Sequence, residues 1–127
     1  MCLKLEKVVE TTKPKIGYVV KQGDGVESLV SIFTERLPCQ VGDTLIDPRW
    51  GANMGNEKEI YGGCLHVFHS KKVARRLQEY FGGNHYLVKV SILPGRLYIG
   101  TVNSGISEVD GFRGYGCKSY KLLEIVD

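Results

Sequence analysis

The stretch GGCLHVFHSKKVARRLQEYF, residues 62–81, decides the fold. Cys64, Leu65, His66, Val67 and Phe68 form a short apolar run behind two glycines, the pattern of a strand buried on both faces. Ser70 then stands where a helix needs an N-cap, because its hydroxyl can accept from an orphan N–H of the first turn. The spacing predicts a helix over 70–81. It places Val73, Ala74, Leu77, Tyr80 and Phe81 on one face and Lys72, Arg75, Arg76 and Glu79 on the other. Gly82 and Gly83 follow, where a helix can end through left-handed residues. Lys71 and Lys72 sit in the first turn, where the helix dipole disfavours positive charge. Together with the first-turn N–H groups they would make an anion site; the plain alternative is a solvated basic face.

Outward from this stretch, the chain reads mostly as strands. Residues 3–10 alternate partly, and Thr11 to Pro14 break the run. Runs 16–21 and 28–34 flank Gln22-Gly23-Asp24-Gly25, a hairpin signal. Residues 44–46 form a short run. Residues 86–93 and 96–102 are strands joined at the tight-turn pair Pro94-Gly95, and 117–126 close the chain as a strand. Glycines argue against a second helix near 55–60. This order predicts an α+β fold: a mainly antiparallel, curled β-sheet packed on one principal helix, within a single domain over residues 1–127.

Composition narrows the function classes. Among 127 residues, 43% are hydrophobic and 24% charged, ordinary for a globular protein. The net charge of +3 is too small to argue for nucleic acid, although Lys71, Lys72, Arg75 and Arg76 crowd into one segment. The first residues lack the apolar core of a signal peptide, and no run reaches membrane-spanning length. Four scattered cysteines without a C-x-x-C spacing read as reduced thiols of a cytoplasmic protein.

Two connections are long for a compact domain, 47–61 and 103–116, and such connections tend to carry function. The first holds Arg49, Trp50 and Asn53; the second holds Phe112, Arg113 and Tyr115. Arginine offers a fork to phosphate or carboxylate, and the aromatic rings can stack a base. The same residue types also anchor protein interfaces. Arg49, Trp50, Asn53, His66, Lys71, Phe112, Arg113 and Tyr115 are therefore the candidate ligand-binding residues. Cys64, His66 and His69 fall short of a metal set, since their spacing dictates no fourth ligand. No phosphate-binding loop or dinucleotide fingerprint is present: Gly111-x-x-Gly114-x-Gly116 does not open a helix after a strand. No cofactor is expected.

Several segments, Gly17-Tyr18-Val19-Val20, Val41-Gly42-Asp43-Thr44-Leu45, Gly62 through Phe68 with its helix, Val88-x-Val90 and Lys121-x-x-x-Ile125-Val126, resemble small phage and prophage proteins of unknown function. Cys64 stands where those proteins carry an aromatic residue. The resemblance implies an accessory factor acting in the cytoplasm of a bacterial host, and one class of such factors counters anti-phage defence. The partner would be a nucleotide-like signal molecule or a host defence protein, and the factor a homo-oligomer. Two rivals stand beside it. One is a nucleotide- or NAD-using enzyme of ADP-ribosyltransferase type, with His66 and Glu108 as its residues. The other is a nucleic-acid binder acting through the Lys71–Arg76 face.

Overall fold

The computed structural model describes residues 2–31, 38–47, 59–60 and 65–126. Ten strands and one helix follow in the order β1 (Cys2–Thr11), β2 (Lys15–Gln22), β3 (Val30–Ser31), β4 (Thr44–Ile46), β5 (Glu59–Ile60), β6 (Leu65–Phe68), α1 (Lys71–Phe81), β7 (His85–Ile92), β8 (Gly95–Asn103), β9 (Arg113–Cys117) and β10 (Ser119–Val126). All pairings among the described residues are antiparallel. The strands lie in the order β4-β10-β7-β2-β6-β9-β8-β1-β5, with β3 beside β2. No hydrogen bonds join β4 to β5 among the described residues, so the sheet curls without closing. This is the expected α+β architecture.

The curl comes from a ribbon that bends midway. β1 pairs with β8 up to Thr11 opposite Gly95, and β2 pairs with β7 from Lys15 opposite Ile92. The two breaks in the chain, Thr12–Pro14 and Leu93–Pro94, therefore lie side by side. Thr11 Oγ1 ties them: it donates to the Gly95 carbonyl and accepts from the Gly95 N–H, both at 3.1 Å. Pro94-Gly95, the tight-turn pair that joins the two strands, thus turns a corner between β7 and β8, which have different partners. Farther along, β1 is bulged between Leu5 and Lys7 and passes so close to β8 that a Cβ on Gly100 would strike the Lys4 carbonyl.

Strand alternation sends side chains to two cores. Val19, Leu65, Val67, Val88, Val90, Leu97, Ile99, Tyr115, Tyr120 and Leu122 meet on the inner face of the curl. Val20, Phe68, Leu87 and Val102 face the other way, against Val73, Ala74 and Leu77 of α1. The helix begins as expected: the Ser70 hydroxyl accepts from Val73 N–H at 3.3 Å. It ends where Gly82, at φ 62°, donates its N–H to Gln78 O at 2.8 Å. Its apolar face is shorter than the spacing predicts, however. Tyr80 is 55% exposed and Phe81 39%, and the α1 side chains in the core end at Leu77.

Lys21 is 1% exposed on the inner face. Its ammonium nitrogen stands 5.3 Å from the centre of the Tyr120 ring. Burial pushes its amine below the ordinary lysine range, with Cys39 nearby opposing. The same burial raises the Cys39 thiol, opposed by Lys21, and drives the Tyr120 phenol well above its usual value. Cys39 and Cys117 are buried thiols outside any disulfide.

Candidate functional site

The junction between β6 and α1 gathers most of the described candidate residues. β9 runs antiparallel beside β6, pairing Val67 with Tyr115 and Phe68 with Gly114. One step beyond, His69 N–H donates to Arg113 O at 3.2 Å, which holds the strand–helix corner against the start of β9. Tyr115 is buried on the inner face, and its hydroxyl lies 2.6 Å from His69 Nδ1. The two rings meet edge to face, with centroids 5.6 Å apart. Burial pushes the Tyr115 phenol up, with Arg113 opposing, so at neutral pH the phenol keeps its proton. It can therefore donate to a neutral His69 ring or accept from an imidazolium. Lys15, at the start of β2, places its ammonium 5.4 Å from the Tyr115 ring centre.

On the outer side of the corner, Phe112 is 41% exposed. The Arg76 guanidinium lies 5.1 Å from its ring centre, within the range of a cation–π contact. Lys71 and Lys72 are exposed in the first turn of α1, which holds no acidic residue. Lys15, His69 and Arg113 thus lie around Tyr115 on the inner face, Arg76 lies over Phe112 on the outer side, and Lys71 and Lys72 add charge at the positive end of the helix. Such a surface attracts anions and offers a ring for stacking.

Of the expected site residues, Lys71, Phe112, Arg113 and Tyr115 belong to this corner. His66 does not. It is half-buried in β6 opposite Gly116, and alternation turns it to the sheet face opposite that of Tyr115. Arg49, Trp50 and Asn53 lie outside the described residues, as does Cys64. The expected long connection 103–116 is largely ordered structure. Its last part is β9, which forms a hairpin with β8 in which Ile99 faces Tyr115. Asp110 closes the turn by accepting from Ser104 N–H and Oγ–H at 2.7 Å each and from Gly105 N–H at 2.9 Å. Burial pushes that carboxyl up, but the three hydrogen bonds outweigh it and hold it below its ordinary range. Glu108, the carboxylate paired with His66 in the enzyme reading, is exposed in this turn.

Lys15 enters the site without having been singled out, Arg76 enters through its contact with Phe112 rather than only as part of the basic helix face, and His69 enters as a partner of Tyr115 rather than of a metal. His69 had a local signal, since it directly precedes a helix cap. Lys15 had none; sheet order alone brings it near Tyr115. Among the described residues, no group of three or more His, Cys, Asp or Glu is placed to hold a metal ion. No described helix is long and apolar enough to cross a membrane. Compared with known proteins, the chain matches no family model, no curated protein and no solved structure.

Proposed function

We propose that this is a non-enzymatic binding protein of phage accessory type, which uses the β6–α1 corner to hold a nucleotide-like anion. The observation that carries the reading is that one strand–helix corner sets Lys15 and His69 against Tyr115 and Arg76 over the exposed ring of Phe112, with the exposed Arg113 between those two rings in the chain. Arg113 and Lys71 would meet phosphate, and the free face of Phe112 would take the base. His69, held by Tyr115, would add a donor. Sequestering a nucleotide signal in this way would blunt a host defence that depends on it; a defence protein with an acidic surface would use the same contacts.

The test is titration calorimetry with mononucleotides and with cyclic di- and trinucleotides. Arg113→Ala is expected to lower affinity by about 1–3 kcal/mol, the scale of a lost charged hydrogen bond. Its side chain is exposed, so the melting temperature should barely move. Binding unchanged in Arg113→Ala, or none by the native protein, would sink the assignment. The four cations of α1 favour a second reading, single-stranded nucleic acid lying along the helix. It requires oligonucleotide binding that weakens steeply with salt.

A further inference from the structure

The far end of α1 carries a second surface. Tyr80 and Phe81 are exposed in the last turn, with ring centroids 5.2 Å apart. Phe81 in turn stacks on His85 at 4.9 Å and 14° between planes. This stack is fixed in place. His85 Nδ1 donates to Gly82 O at 2.8 Å, and Gln78 Nε2 donates to His85 O at 3.1 Å. The turn itself is tied to the β2–β3 loop by Gly23 N–H donating to Asn84 O at 3.0 Å. Neither of the two exposed rings is needed by the helix-side core, whose α1 contribution stops at Leu77. Rigid exposed aromatic side chains lose little entropy when covered, and for that reason they serve as interface anchors.

Beyond the turn, a hollow of about 540 Å³ is lined by Gln22, Asn84, Ser28, Asp24 and Glu27, among others, and no cation among the described residues lines it. The Glu27 carboxylate folds back over Gly25, where an added Cβ would stand 2.9 Å from Oε2. An apolar anchor joined by that turn to a hollow with two carboxylates is complementary to one kind of surface. We infer that the α1–β7 end docks a partner protein through a segment bearing a lysine or arginine next to an apolar side chain. The apolar group covers Tyr80 and Phe81, and the cation enters the hollow between Asp24 and Glu27. This surface lies at the opposite end of α1 from the proposed nucleotide site and does not depend on it.

The test is selection from a random displayed peptide library on the full-length protein, with affinities of the selected peptides then measured by fluorescence anisotropy. Peptides pairing Lys or Arg with an aliphatic or aromatic residue are expected. Their affinity should fall about tenfold or more with Tyr80→Ser, and likewise with Asp24→Asn combined with Glu27→Gln. All three side chains are exposed, so these variants should fold normally; Arg113→Ala should bind the peptides like the native protein. An empty selection, peptides lacking a cation, or binding that survives both variants would overturn the inference. So would a homodimer in native mass spectrometry that Tyr80→Ser dissolves, since the occupant would then be a second copy of the chain.

Discussion

Lys21 shows how one residue can set a pH dependence. Strand alternation turns it inward, and its amine is held below the ordinary lysine range by burial. Below that ordinary range the unfolded chain takes up a proton that the folded chain resists. Stability therefore falls as pH drops from the usual lysine value to the lowered folded one. Lys21→Met should raise stability at neutral pH by about 1–2 kcal/mol, because it removes a buried group that must stay neutral or be charged at a cost. The gain should shrink in alkaline buffer, as the unfolded lysine loses its proton too. Urea unfolding of both proteins across that range checks this. A variant less stable at neutral pH would mean that the contact with Tyr120 outweighs the cost of burial.

At the scale of elements, α1 and the β8–β9 turn make separate predictions. Ser70 satisfies the first turn of the helix through one hydrogen bond, so Ser70→Ala should cost about 1 kcal/mol. The loss should be visible as a lower melting temperature. In the β8–β9 turn, the carboxyl of Asp110 is depressed by its three donors. Its contribution is fully present above the ordinary aspartate value and is lost as pH falls through the lower folded one. Asp110→Asn should lower stability by about 0.5–1 kcal/mol at neutral pH, a value kept small by solvent screening. The difference from the native protein should vanish in acid; a difference that persists there would point to lost geometry instead of lost charge. The strand–helix corner was readable locally, since capping residue, glycine stop and periodicity agree over 62–81. The β9 strand was not, because Arg113-Gly114-Tyr115-Gly116 has the composition of a loop and extends only when β6 and β8 flank it on both sides.

For the molecule as a whole, the proposed ligand site is a matter of summed charge. Raising salt should weaken nucleotide binding, because the cations around the corner are exposed or half-exposed and are screened. Arg113→Ala should flatten that dependence; calorimetry at low and moderate ionic strength reads both. Periodicity, turn residues and the cap were enough to read an α+β chain with a curled antiparallel sheet and one helix over 70–81. These are local properties, written in spacing. Which strands are neighbours is not local. The side-by-side breaks at Thr12–Pro14 and Leu93–Pro94 bend the long ribbon, and β6 and β9 fill the middle of the sheet. That order brings Lys15 to Tyr115 across 100 residues of chain and turns His66 away from the same corner. It also leaves Tyr80 and Phe81 exposed, although their spacing put them on the apolar face. Spacing specifies which face of an element is apolar; only packing specifies how far the covering surface extends and which distant side chains share it.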